Sequence, residues 1–209
     1  PLGSIKIEGS LLGSFNISNV LASIATVFST GASVTTQLEK FGTYVQKLYP
    51  VDGRMQLVDV GADVTVLVDY AHTPDGLRAA LGGAQSHSSA ELWCVFGCGG
   101  DRDIGKRSLM GKVAEDYSCM TIITDDNPRH EDGNEIVGDI LKGFKAPQRV
   151  TVIRNRAEAI AYAIDYAPPD ALIVIAGKGH EKYQEKNGIR TVFNDVDRAR
   201  YELLKRKEK

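Results

Sequence analysis

This 209-residue chain has only three cysteines, Cys94, Cys98 and Cys119. The number is odd and the spacing suits neither a paired zinc site nor a secreted disulfide framework, so reduced thiols are expected. No apolar run approaches the roughly 18 residues that span a bilayer, and no charged stretch leads into an apolar one at the start. A membrane span and a secretory leader are therefore not expected, and the chain reads as cytoplasmic. Net charge is almost absent, at −2, and the one basic block, Lys205-Arg206-Lys207, reads as a solvated helix end. Nucleic acid is thus not an expected partner. There is also no internal repeat and no low-complexity linker. The hydrophobic share is 43% and the charged share 25%, which suits a globular chain of one large or two small domains.

Pro1-Leu2-Gly3-Ser4 reads as the scar of a protease-cleaved tag and is set aside. From Ile5 to Tyr49 the pattern is helical. Val20, Leu21, Ile24, Val27 and Phe28 recur at helical spacing over 17–28, with Asn16 or Ser18 as a local N-cap candidate, and a second helix is expected over 35–48. Two such helices cannot close a core alone, so they pack on the remainder of the chain or end a larger domain. From Val51 the period changes. Runs at 57–60 and 64–68 flank Gly61-Ala62-Asp63 like a hairpin. Thr73-Pro74-Asp75 then opens a helix to about Gly82. A strand over 92–96 comes next, then a helix over 106–117 with Leu109, Met110, Val113, Ala114 and Tyr117 on one face, and a strand over 120–124. The alternation continues with a helix over 134–144, a strand over 150–153, a helix opened by Asn155 with Glu158 three residues on, and a strand over 172–176. Residues 191–193 read as a final edge strand, and Asp195 as the cap of a last helix. Such alternation predicts an α/β fold, a Rossmann-like doubly wound and mostly parallel sheet.

The unusual residues fall at the carboxyl ends of the expected strands, where open α/β sheets bind ligands. They are Asp69-Tyr70-Ala71-His72-Thr73-Pro74-Asp75, Gly97-Cys98-Gly99-Gly100-Asp101-Arg102-Asp103, Thr124-Asp125-Asp126-Asn127-Pro128-Arg129 and Gly177-Lys178-Gly179-His180-Glu181. The third combines an amide and a guanidinium about a rigid proline, which suits a carboxylate. Each loop also has a plainer reading. The Gly97 loop has Arg102 where a dinucleotide fingerprint needs its third glycine, and Gly177-Lys178-Gly179 lacks the spacing of a phosphate loop. Asp101, Arg102 and Asp103 would serve as a surface ion-pair cluster. His72 and His180 would serve as hydrogen-bonded loop histidines, and Asp69 with His72 suggests a catalytic pair or half a metal site without the remaining members.

Taken together, the four motifs resemble the Mur ligases, in order and spacing, over nearly all of 11–200, and among them the ligases that add the third residue of the peptidoglycan stem peptide. The resemblance implies that 5–52 is the end of a central ATPase domain and 53–209 a C-terminal amino-acid-binding domain, with a hinge near Gly53-Arg54-Met55. Asp52 is not the residue expected at that hinge. For ATP, the resemblance implies Asn16 and Asn19, the second reading adenine, with Arg54 reaching the phosphates, Asp69 the ribose, and His72 nearby. For meso-diaminopimelate, it implies Arg102, Asp126, Asn127 and Arg129 around the distal carboxylate end, with Gly177 and Glu181 on the distal amino group.

Diaminopimelate exceeds lysine by one distal carboxylate, and Arg129 supplies a cation for it, so diaminopimelate is the expected amino acid. The implied reaction joins it to UDP-MurNAc-L-Ala-D-Glu using ATP and Mg2+. The sequence contains no Gly-x-x-Gly-Lys-Thr-like loop and no candidate for the family's carbamylated lysine, so ligation by this chain alone is not expected. The alternatives are a lysine-adding or other Mur-like ligase, a folylpolyglutamate or cyanophycin synthetase, and a noncatalytic module of the same fold.

Overall fold

A computed structural model describes residues 11–31, 34–86 and 88–209; the expected tag scar lies outside them. In chain order the elements are α1 (Ser14–Ser29), α2 (Val34–Gln46), β1 (Gln56–Val58), β2 (Thr65–Asp69), α3 (Pro74–Ser86), β3 (Leu92–Phe96), α4 (Gly105–Tyr117), β4 (Met120–Ile123), α5 (Gly133–Leu141), β5 (Thr151–Val152), α6 (Arg156–Tyr166), β6 (Leu172–Ala176), β7 (Tyr183–Lys186), β8 (Ile189–Val192) and α7 (Asp195–Lys207). Six strands form one sheet in the order β1-β2-β6-β3-β4-β5. β1 runs antiparallel to β2, and the other pairings are parallel.

Period-two alternation splits the core between the two faces of this sheet. Leu92, Cys94 and Phe96 of β3, with Leu172, Val174 and Ala176 of β6, face α3, α4 and α5. Trp93 and Val95, with Ile173 and Ile175, face α6 and α7. All three thiols are free, and burial pushes Cys94 and Cys98 up to about 12, so neither is a nucleophile at neutral pH.

The helical start differs from expectation at its cap. α1 begins after Gly13, which makes no side-chain cap bond. Asn16 lies inside the first turn and donates to Leu12 O at 2.7 Å. Leu12 and Phe15 pack against the α3 side of the core, whereas Ile17, Leu21, Val27 and Tyr44 remain exposed.

Three other expectations need correction. Leu109 is exposed, because the buried stripe of α4 is instead Arg107, Met110, Gly111, Val113 and Ala114. Residues 191–193 do not extend the sheet, since β8 pairs with β7 in a separate hairpin. Its turn is Asn187-Gly188, both in the left-handed region, as the preferred two-residue hairpin turn requires. The cap of α7 is Asn194, which accepts from Asp197 N. Asp195, its neighbour, is directed inward.

There Asp195 meets Arg156. Nε and Nη2 of Arg156 each reach an Asp195 oxygen at 2.7 Å, and Nη2 also donates to Ala176 O at 3.0 Å. Both side chains are fully buried, so the starts of α6 and α7 are tied to the end of β6 by a pair with no solvent to replace a lost partner. Arg156→Met is expected to cost about 3–5 kcal/mol in chemical denaturation. Arg156→Met with Asp195→Leu should recover much of that loss, and a single variant as stable as the parent would refute the role.

Candidate functional site

Parallel strands end on one edge, and all four marked loops leave from it: 69–75 after β2, 97–103 after β3, 124–129 after β4 and 177–181 after β6. The central loop is held from three sides. Gly100 N donates to Asn127 O at 2.9 Å. Asn127 Oδ1 accepts from Lys178 Nζ and from Glu185 N, both at 2.9 Å, while Asn127 Nδ2 donates to Glu181 Oε2 at 2.9 Å. Gln184 Nε2 reaches Asp126 O at 2.7 Å, and Arg129 forms a parallel bridge with Lys186. The hairpin thus closes over the loop.

Two cations flank the glycine loop. A Cβ added to Gly99 would lie 2.9 Å from Arg129 Nη1 and 3.8 Å from Arg102 Cγ, so both side chains border Gly99. Arg129 donates to Gly100 O at 2.7 Å and Arg102 to Asp101 O at 3.0 Å, both carbonyls. Neither guanidinium has a carboxylate partner among the described residues. The alternative reading of Asp101, Arg102 and Asp103 as a surface ion-pair cluster does not hold: Asp101 binds His130 Nδ1 at 2.7 Å, which holds its carboxyl below the usual range, and Asp103 accepts from Gly105 N. The carboxylate of Glu181 lies at the other end of Asn127. Asp126 is buried, 3.6 Å from Lys178 Nζ through Oδ1, and an added Cβ on Gly177 (φ +118) would meet its Oδ2 at 2.7 Å. Two guanidiniums without a carboxylate partner and a half-buried carboxylate across one amide suit a ligand carrying a carboxylate and an ammonium.

A second group gathers around Gly53-Arg54-Met55, the expected hinge. Arg54 is exposed, with its guanidinium 4.9 Å from the centre of the Tyr70 ring. Tyr70 also touches the rings of His72 and His180, at 4.6 and 5.1 Å between centroids. Asp69 is buried, and its two oxygens accept from Met55 N and Ala71 N, each at 2.8 Å. Burial raises its carboxyl despite those bonds. A ribose contact by Asp69 has only the remaining lone pairs to use. His72 Nδ1 lies 2.8 Å from Tyr70 O, consistent with a hydrogen-bonded loop histidine. Gly53 abuts the 177–181 loop: a Cβ on it (φ +67) would lie 2.1 Å from His180 N, so no larger residue fits.

Asn16 and Asn19 stand one turn apart on α1 and bond each other at 3.2 Å. No hydrogen bond or ring contact joins them to Arg54, Asp69 or His72 among the described residues. No group of three or more His, Cys, Asp or Glu that would hold a metal occurs among those residues either, and a nucleotide-bound Mg2+ would take most of its ligands from phosphate and water.

Sequence reading missed Lys178, Gln184, Glu185 and His130 as parts of the site. Asn187-Gly188 was the available signal for the hairpin that brings Gln184 and Glu185 in. Lys178 carried no comparable signal, because a lysine between two glycines reads as exposed.

Comparison with known proteins identifies the family and the fold. Residues 53–179, more than half of the chain, match the family model described as Mur ligase, glutamate ligase domain. The chain is 45% identical over 199 residues to the UDP-N-acetylmuramoyl-L-alanyl-D-glutamate–2,6-diaminopimelate ligase of Pseudomonas aeruginosa, covering 95% of this chain and 40% of that protein. It therefore spans about two-fifths of that relative's length. A solved structure of a ligase of the same name is similar with a TM-score of 0.73 at 41% identity, over 97% of this chain and 41% of that one. At the level of fold alone, the Mycobacterium tuberculosis folylpolyglutamate synthase, solved with ADP and AMPPCP, is similar at TM-score 0.64 and 20% identity, covering 95% of this chain and 41% of its own. With its family model matched over more than half of its length, the chain belongs to the Mur ligase family.

Proposed function

We propose that this chain is the amino-acid-binding part, with the adjoining hinge, of an ATP-dependent ligase that joins meso-diaminopimelate to UDP-MurNAc-L-Ala-D-Glu in the cytoplasm. The observation that carries this reading is the pair of guanidiniums without carboxylate partners, Arg102 and Arg129, set across Asn127 from Glu181. The distal end of diaminopimelate has the complementary pattern. Its carboxylate is assigned to Arg102, Arg129 and Asn127, and its ammonium to Glu181 and the Gly177 carbonyl, with Asp126 supporting the loop. Lysine has the ammonium without the carboxylate and would leave the guanidiniums unanswered. The matched family segment begins at 53, which supports a division into 5–52, from the central ATP-binding domain, and 53–209.

In the proposed reaction the D-glutamate γ-carboxylate attacks the γ-phosphorus of ATP, giving an acyl phosphate and ADP. The diaminopimelate amine then attacks the acyl carbon, loses a proton and expels phosphate. This chain's residues bind and orient the attacking amino acid, while Arg54 offers a permanent charge to the ATP phosphates. Asn16 and Asn19 are assigned to the adenine side, with Asp69 and His72 beside the ribose. No step is assigned to Mg2+.

Calorimetric titration of the 209-residue chain should show meso-diaminopimelate binding more tightly than lysine. Arg129→Ala should reduce that preference by about 10- to 100-fold, the range for loss of a charge-assisted hydrogen bond. Tighter lysine binding, or a preference that survives Arg129→Ala, would sink the substrate assignment. Mixed with ATP, Mg2+ and both substrates, the chain alone should form no tripeptide product by mass spectrometry. A product would overturn the assignment of phosphoryl transfer to residues outside this sequence.

A further inference from the structure

Lys178 has no task in the proposed reaction, yet it is the most deeply buried charged side chain of the four loops, fully shielded from solvent. An ammonium is costly to bury unless partners surround it. Its Nζ lies 2.9 Å from Asn127 Oδ1, 3.0 Å from Glu181 Oε2 and 3.6 Å from Asp126 Oδ1. The face of Tyr183 lies 5.7 Å away.

These contacts settle two orientations. Asn127 Oδ1 faces two donors, Lys178 Nζ and Glu185 N. The amide nitrogen must then point the other way, where Asn127 Nδ2 donates to Glu181 Oε2 at 2.9 Å. Glu181 Oε2 thereby receives both Asn127 and Lys178, whereas Oε1 has no hydrogen-bond partner among the described residues. A carboxylate pinned through one oxygen presents the other in a fixed direction.

We propose that Lys178 is a specificity-determining positioning residue. By fastening Asn127 Oδ1 and Glu181 Oε2, it aims Glu181 Oε1 at the distal ammonium of the amino acid without touching that amino acid itself. The proposal rests on Glu181 accepting the ammonium, as in the proposed function.

The electrostatics of the pocket support it. Burial alone would raise the Glu181 carboxyl, but the bonds from Asn127 and Lys178, with the charges of Lys178 and Arg129, hold it below the usual range. The charged groups facing it are Lys178 on its own loop, Arg129 on the loop after β4, and Arg156 at the start of α6, with Asp126 beyond Lys178. Removing Lys178 leaves the burial and takes away a cation and a donor, so the carboxyl must rise. Binding that needs the ionised form then fails at a higher pH than in the parent.

The test is calorimetric titration of the chain with meso-diaminopimelate and with 2-aminopimelate, which keeps the distal carboxylate and lacks the distal amine, from acidic to neutral pH. The parent should favour meso-diaminopimelate. Lys178→Met should cut that preference about tenfold and move the acidic limb of binding up by about one pH unit. Lys178→Arg, retaining charge and donors, should restore part of both. Circular dichroism checks folding, and Lys178→Gln, a neutral donor, replaces the Met variant if that one melts and should show the same displaced limb.

Folded Met or Gln variants that keep the parent's preference and pH limb would overturn the proposal. So would an equal weakening of both amino acids with no change in ratio or limb, the signature of a purely structural lysine. A parent that does not distinguish the two amino acids would overturn it differently, by removing the assignment of Glu181 on which it stands.

Discussion

Asn127 ties four segments of chain into one site. Its carbonyl takes Gly100 N from the loop after β3, its side-chain oxygen takes Lys178 and Glu185 N, and its side-chain nitrogen serves Glu181. The amide group has a donor end and an acceptor end at fixed geometry, and both are engaged. A carboxylate at this position would place negative charge against Glu181, and an aliphatic side chain would leave the buried ammonium of Lys178 short of a partner. The recognition edge therefore depends on one neutral residue whose two ends differ. Such a network is rigid because both ends of the amide are engaged.

The sheet beneath supplies the rigidity that the loops require. Its central strands β3 and β6 are buried along their whole length, and Arg156 fastens the end of β6 to α7 through Asp195. Beside β2, Asp69 secures Met55 and Ala71 by their amides, and Gly53 rests directly against Gly179 and His180. Arg54 and the loop bearing Glu181 thus share a wall. A shift in either one must be accommodated by the other, since packed backbone has no slack to absorb it.

Much of this was legible in the sequence because it follows from local patterning. The buried strands at 92–96 and 172–176 matched the apolar runs residue for residue, Asn155 caps α6 as its spacing with Glu158 implied, and the four loops emerge at one edge because parallel strands must end together. The illegible parts are tertiary. Asn194 and Asp195 are adjacent and equally good caps on local grounds, and only the buried Arg156 decides between them. Leu109 sits at a helical spacing that would suit the core, but Gly111 approaches Ile140 O and Arg107 reaches Glu131 and Asp139, which fixes α4 in another phase. β7 has no apolar alternation because its attachment to the site is through amides and carbonyls. Lys178 lies inside because its two glycine neighbours hold positive φ, at +118 and +51, and turn the chain inward.

Arg129 separates the charge it presents from the fastening it provides. Its main chain accepts from Asn187 N at 2.7 Å and donates to Glu185 O at 3.1 Å, so the backbone at this position, rather than its side chain, fastens the hairpin to the loop. Its φ of +51 narrows the choice of replacements to residues that tolerate a left-handed backbone, such as glycine, asparagine or aspartate. Within that choice, charge at the mouth of the pocket can change while the scaffold stays fastened. The charge carried at this position is therefore separable from the fastening of the hairpin.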